Sequence, residues 1–338
     1  MSKTRAVALV GVSGLTGETL INVLDDHDFD FELHLLDTEE QAGGRLMIKG
    51  ESQRVEVLER FDFSQVALVL FADAWLASDW ADRVVAAGCV VVDACGAFRH
   101  RTDVPLVVAE INPEALADLG ARRIVSCPDA QVVQTLLAVH PLVAEGGLQS
   151  LNIATYQSMS TVGSEEVEAL ALQTGRLLNG QPPEKGAFDK QAAFNLIPRI
   201  GELDESGNSQ LEQHLVADVR RILNLPTLPV MATCVLVPTF FGSAQVMQLR
   251  TERVLPAGRA ATLLRRAAGI KLLDRASAGG YPTPVTDATG SDQVWVGRLR
   301  QDQQDPSGIG MWVVSDNLRK GVALNSLAVA QLLIKDYL

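Results

Sequence analysis

Apolar residues follow two rhythms in the first third of this chain. Arg5–Val10, Phe31–Leu36, Val66–Phe71 and Val90–Val92 are short strand-like runs, and Val66–Phe71 is apolar almost throughout. Such runs read as strands buried on both faces, the habit of a parallel sheet. Between them, Glu18–Asp25 and Ala77–Ala87 place apolar residues at helical intervals. Strand, glycine turn, helix, strand is the order of a doubly wound α/β sheet.

After about residue 130 the texture changes. Val132–Val143 reads as a helix, and Leu148–Thr155 as a strand that breaks at Tyr156-Gln157-Ser158. Ser164–Leu178 reads as a helix capped by Ser164, with Glu165 and Glu166 in its first turn as the helix dipole prefers. Asn179–Lys185, with two prolines and a glycine, reads as a loop. Strand-like runs at Thr233–Val237, Ala244–Arg250, Val294–Arg300 and Gly310–Ser315 alternate with helices near Gln210–Leu223 and Ala257–Ala268. This order predicts an α+β domain with a mostly antiparallel sheet. Ala323–Leu338 has helical periodicity and is expected to return to the first domain. The expected organisation is residues 1–129 with 322–338 as one domain and 130–321 as the other.

Composition narrows the partners. The 338 residues are 47% hydrophobic and 21% charged, with a net charge of −12. That balance suits a globular protein with a sizeable core and argues against nucleic acid or an anionic membrane. No apolar run approaches the ~18 residues of a membrane span. Lys3 and Arg5 lead straight into a strand rather than a signal peptide. Cys89, Cys95, Cys127 and Cys234 have no metal-ligand or disulfide spacing and fit reduced thiols in a cytoplasm, and the five histidines are dispersed. No metal is expected.

Two features point to a nucleotide. Gly11, Gly14 and Gly17, with Leu15 and Thr16 between them, form a GxxGxxG turn after the first strand. Gly11 allows the tight turn, Gly14 lets backbone approach a pyrophosphate, and Gly17 permits close helix–strand packing. A tight strand–helix turn that binds nothing has the same spacing. Asp37 ends the second strand 20 residues after Gly17, where an acid bonds a ribose hydroxyl and repels a 2′-phosphate. With Glu39 and Glu40 beside it, this field favours NAD and disfavours NADP. A solvated acidic loop is the other reading of the same residues.

Seven segments in one order carry a resemblance: VGVSGLTG (10–17), GAFRHRTDVPLVVAEIN (96–112), TYQSMSTVG (155–163), AFNLIPRIGE (193–202), YPTP (281–284), WVGRLRQD (295–302) and SDNLRKGVALN (315–325). Together they resemble bacterial aspartate-semialdehyde dehydrogenase over nearly the whole chain. The resemblance implies a Rossmann-like dinucleotide-binding domain, an α+β catalytic and dimerising domain, and a homodimer. It also implies hydride transfer linking an aspartyl phosphate to its semialdehyde through a cysteine thioester.

The departures fall on the chemistry. The family's catalytic segment, similar to NPNCST, is here CPDAQV (127–132), and Pro128 sets the register so that the nucleophile falls on Ala130. The substrate-clamping arginine and the basic histidine fall on Leu236 and Ser243. The family's Glu-Glu-x-Lys is Leu211-Glu212-Gln213-His214, its Arg-Ser for NADP is Glu40-Gln41, and a glycine pair is replaced within Phe71-Ala72-Asp73-Ala74. Arg99 and Gln157 are retained as substrate-binding positions. Losing a nucleophile alone costs on the order of a million-fold in turnover, and its base acts with it as one unit.

Three readings follow. The first is a catalytically degenerate paralogue resembling the Usg-type branch, keeping NAD or a small anionic ligand. The second is an active oxidoreductase on an aldehyde or acyl phosphate with a changed nucleophile such as Cys127, three residues before Ala130 and just ahead of a helix start that would lower a thiol pKa. The third is a structural subunit that pairs with an active dehydrogenase.

Overall fold

The computed structural model describes residues 6–29, 31–184, 186 and 188–338, and Arg5 and Lys185 lie outside them. The chain forms two compact units, one running to Asp129 and taking in Val322–Leu338, the other spanning Ala130–Gly321.

The first unit holds β1 (Ala6–Val10), α1 (Leu15–Asp26), β2 (Glu32–Asp37), β3 (Arg45–Ile48), β4 (Glu51–Val57), β5 (Leu68–Phe71), α2 (Ala74–Ala86), β6 (Val90–Asp93) and β7 (Ile124–Ser126). Its sheet has the order β3-β4-β2-β1-β5-β6-β7. Every pairing is parallel except β3 with β4. All residues of β1, β5, β6 and β7 are buried, which is why these strands read as unbroken apolar runs. The strand order reverses between β1 and β5, and the crevice beyond their carboxyl ends is where open α/β sheets take ligands.

The β3–β4 hairpin is a correction to the sequence reading, which had no strand there. Most of its residues are polar, and its turn is Lys49-Gly50, with φ of +51° and +77° as a two-residue hairpin turn requires.

The second unit contains α3 (Ala130–Gly146), β8 (Ser150–Gln157), α4 (Ser164–Leu178), α5 (Gln210–Ile222), β9 (Val230–Leu236), β10 (Ser243–Arg250), α6 (Ala257–Arg266), β11 (Ile270–Leu272), β12 (Val294–Gln301) and β13 (Gly308–Ser315). The sheet order is β11-β12-β13-β10-β8-β9, with β8–β9 and β11–β12 parallel and the rest antiparallel. α3, α5 and α6 pack on it.

Two expectations change here. β8 continues through Tyr156 and Gln157, because both pair with β9. Ser164 does not cap α4; Gly163 stands at that position and the helix start has no side-chain cap. A capping box does open α5, where Ser209 and Glu212 satisfy each other's backbone N–H.

The last helix, α7 (Leu324–Asp336), belongs to the first unit and packs on β5 and β6. Leu327, Val329, Ala330 and Leu333 enter that unit's core. Asn325 fixes the contact by accepting from the backbone of Ala109 at 2.9 Å and donating to Val107 O at 3.1 Å.

Candidate functional site

In the first unit, β1 runs into the turn at Gly11, whose φ is +83° and whose N–H donates to Leu36 O at 3.0 Å. A Cβ on Gly17 would lie 2.2 Å from Gly11 O, so α1 can start this close to the strand only with glycine there. A Cβ on Gly14 would meet nothing within 4 Å. Gly14 is also the N-cap of α1 and offers no side-chain cap to the first N–H groups of the helix. Leu15 and Thr16 follow, half-buried. This geometry fits the pyrophosphate of a dinucleotide.

Two carboxylates flank the turn. Asp37, at the end of β2, is 4% exposed and accepts from Ser13 N and Thr38 N, both at 2.9 Å. Each of its oxygens keeps a lone pair for a hydroxyl. Asp73 caps α2 by accepting from Leu76 N at 2.8 Å, and its Cβ lies 3.1 Å from where a side chain on Gly11 would begin. Glu39 is paired with Arg60 on the surface, so Glu40 is the less compensated acid of that loop.

A second constellation stands at the carboxyl ends of β6 and β7. Asp93, fully buried, accepts from Cys95 N and Phe98 N at 3.0 Å each and from Ser126 Oγ at 2.7 Å. Burial pushes its carboxyl above the usual range. The loop it organises presents Arg99, expected from the resemblance as a substrate-binding residue. That guanidinium grips Asp129 in a two-point fork, Nη2 to Oδ1 at 2.6 Å and Nη1 to Oδ2.

Cys127, the candidate for a changed nucleophile, lies in the core of the first unit. It is 1% exposed, and its N–H donates to Asp93 O at 2.8 Å. Burial, then the charge of Asp93, pushes its thiol up, the opposite of what a nucleophile needs. Cys95 is raised for the same reasons.

In the second unit, α3 begins at Ala130 and runs beside β10 in the same direction. Gln131 meets Gln245 through Gln245 Nε2 to Gln131 Oε1 at 2.9 Å, and Thr135 Oγ1 donates to Gln245 Oε1 at 2.8 Å. At the far end, a Cβ on Gly146 would touch Thr251. The start of the helix therefore lies toward the start of the strand, where Ser243 is. Ala244 pairs with Tyr156, which sets Ser243 across from Gln157 at the ends of β10 and β8. Ser315 pairs with Ser243 on the other side. Ala130 itself is close-packed against Gly321, where a Cβ would fall 2.4 Å from its own.

The result is a buried neutral layer of amides and hydroxyls. Four of its atoms, Gln131 Nε2, Gln157 Oε1, Ser243 Oγ and Ser315 Oγ, have no hydrogen-bond partner among the described residues. Such a layer can hold a polar guest, but none of its members titrates near neutral pH to move a proton. Leu236, opposite Gln157 on β9, is 4% exposed and packs with Met159, Leu170 and Phe188. Glu212 is structural: its Oε1 accepts from Cys234 N at 2.8 Å and its Oε2 from Ser209 N at 2.6 Å.

Sequence reasoning missed Gln131, Gln245 and Asn317. Asn317 Oδ1 accepts from Gly242 N at 3.1 Å while its Nδ2 donates to Ser160 Oγ at 3.0 Å, tying three loops together. Only the polarity of Gln131 and Gln245 in apolar stretches could have drawn attention to them, and Asn317, between Asp316 and Leu318, gave no such signal. Among the described residues, no group of three or more His, Cys, Asp or Glu could hold a metal, and no helix is long and apolar enough to cross a membrane.

A glycine turn at the switch point of a parallel sheet, in a chain whose second unit is an α+β layer on a mostly antiparallel sheet, is the plan of a two-unit nicotinamide-dependent dehydrogenase. Residues 6–119 match the model of the semialdehyde dehydrogenase NAD binding domain, and residues 139–320 that of the semialdehyde dehydrogenase dimerisation domain. The chain belongs to the semialdehyde dehydrogenase family. It is 40% identical to aspartate-semialdehyde dehydrogenase 2 of Vibrio cholerae over 339 residues, covering all of both chains. It is 39% identical to a USG-1 protein homolog of Pseudomonas aeruginosa over 340 residues, again with full coverage of both. A solved structure of the Vibrio cholerae aspartate semialdehyde dehydrogenase II, complexed with ASA, superposes with a TM-score of 0.95 at 40% identity and covers all of both chains.

Proposed function

We propose that this chain is an aspartate-semialdehyde dehydrogenase-like protein that has lost the family's catalysis and keeps a dinucleotide-binding first unit. The observation that carries the reading is Ala130 at the head of α3, with Ser243 and Leu236 in place of an imidazole and a guanidinium. A methyl group offers no thiolate, a serine hydroxyl no base near neutral pH, and Leu236 no charge for a substrate carboxylate. Cys127, buried and with its thiol raised, does not replace them.

The glycine turn, the uncapped α1 and Asp37 support NAD as the ligand of the first unit, and the acids near the turn disfavour the extra phosphate of NADP. A bound nicotinamide would supply hydride chemistry; the residues described here only bind and orient it. The dimerisation-domain match supports a homodimer. The sheet face bearing Tyr156, Trp295 and Trp312 is half-exposed and aromatic, the kind of surface a second copy would cover.

Purified protein assayed with aspartate semialdehyde, phosphate and either nicotinamide cofactor is expected to show no turnover. Turnover at ordinary enzyme rates that disappears in Cys127→Ala would sink this proposal and establish the changed-nucleophile enzyme instead.

A further inference from the structure

We propose that Asp129 occupies, from within the chain, an oxyanion seat built around Arg99, and that a phosphate or carboxylate ligand enters this seat only where Asp129 gives it up. The seat is prepared before any ligand is considered. Buried Asp93 pins the loop after β6 through Cys95 N and Phe98 N. Gly96, at φ +70°, lets the guanidinium lie on the backbone, and a Cβ there would fall 1.9 Å from Arg99 Nη2. Arg99 Nε donates to Gly96 O at 2.9 Å and Nη2 to Cys95 O at 3.3 Å, which fixes the plane of the fork.

The remaining edge of that fork takes both oxygens of Asp129. A planar guanidinium held in one orientation is a general receptor for carboxylate and phosphate, and two parallel N–H bonds are its strongest mode. The side chain of Arg99 is 4% exposed and that of Asp129 is 26% exposed, so the carboxylate is the solvent-side half of the pair. Asp129 follows β7 and Arg99 follows β6, so both stand beyond the carboxyl ends of neighbouring parallel strands, the ligand side of such a sheet. A carboxylate there leaves the fork neutral toward solution. An external oxyanion must displace a tethered competitor and then face its charge.

The test reads binding rather than turnover, so it stands apart from the function proposed above. Calorimetric titration with inorganic phosphate at fixed ionic strength would compare the wild type, Asp129→Asn, Arg99→Met and the double variant. The readout is the part of binding that depends on Arg99. That part is expected to be absent in the wild type and present in Asp129→Asn, with a gain of about tenfold or more in affinity, as for exposing a charged hydrogen-bond donor. It is expected to vanish in the double variant. Saturable wild-type binding lost in Arg99→Met would overturn the proposal, as would a folded Asp129→Asn that binds phosphate no better than the double variant. If Asp129→Asn does not fold, the Arg99 Nε–H resonance of the wild type decides. It should stay in place as phosphate is added, and a saturating shift would overturn the proposal.

Discussion

Replacing Leu236 by arginine would restore in name the clamp that the resemblance puts on that strand, and it should damage the protein. Leu236 is buried among Met159, Leu170, Phe188, Ala192 and Ala193, none of which can neutralise a cation. Its backbone exchanges hydrogen bonds with Ile197 at 2.9 and 3.0 Å, so the strand cannot swing away to expose the new side chain. Removing the leucine from the core loses about 1.5–3 kcal/mol of apolar burial. An unpartnered buried charge adds about 3–5 kcal/mol. The sum, roughly 4–8 kcal/mol, is a large share of the 5–15 kcal/mol that holds a typical protein together. With a urea slope of about 2–3 kcal/mol per molar, the midpoint should fall by more than about 1 M. Urea unfolding followed by circular dichroism and tryptophan fluorescence measures this, with Leu236→Met as a control expected to cost less than about 1.5 kcal/mol. If Leu236→Arg unfolds at the wild-type urea concentration, its guanidinium has reached water or a carboxylate. The placement of Leu236 in the core would then be wrong.

Three further outcomes are expected. Ala130→Cys should alkylate with iodoacetamide faster than any wild-type cysteine, because the start of α3 favours a thiolate, yet show no turnover without a base at Ser243; in the wild type, the raised thiol of Cys127 stays neutral through the physiological range and should react only on unfolding. Substantial turnover from Ala130→Cys alone would mean the site is more intact than described. Calorimetry should find NAD bound more tightly than NADP, and Asp73→Asn should tighten NAD by removing a charge beside Gly11; tighter NADP binding would show that the acids near the turn face elsewhere. Sedimentation at micromolar concentration should give a dimer, and a clean 36.3 kDa monomer would count against it.

What could be read in the sequence was whatever is local. The buried parallel strands announce themselves as apolar runs, and Gly11 and Gly17 stand where the turn's close contacts require glycine. The helix expected from Val132 was found, though it begins two residues earlier, at Ala130. What could not be read depends on chain segments meeting. Asp129 looks like a loop acid until Arg99, thirty residues earlier, is seen to hold it. Gln131 and Gln245 are 114 positions apart, and each alone resembles a stray polar residue in an apolar stretch. The β3–β4 hairpin was missed because its residues are too polar to stand out, although Lys49-Gly50 is a recognisable turn signal.

The return of α7 to the first unit has a consequence for how the protein comes into being. The core around β5 and β6 needs Leu327, Ala330 and Leu333, which are made only after the second unit. The unit translated first therefore waits with its apolar surface open while all of Ala130–Gly321 emerges, for roughly ten to forty seconds at usual elongation rates. The second unit, made of one continuous segment, can finish folding before the first. A released chain truncated near Gly321 should thus carry a mature second half and a protease-sensitive beginning. Loss of α7 would act on a unit whose other elements were synthesised before the second.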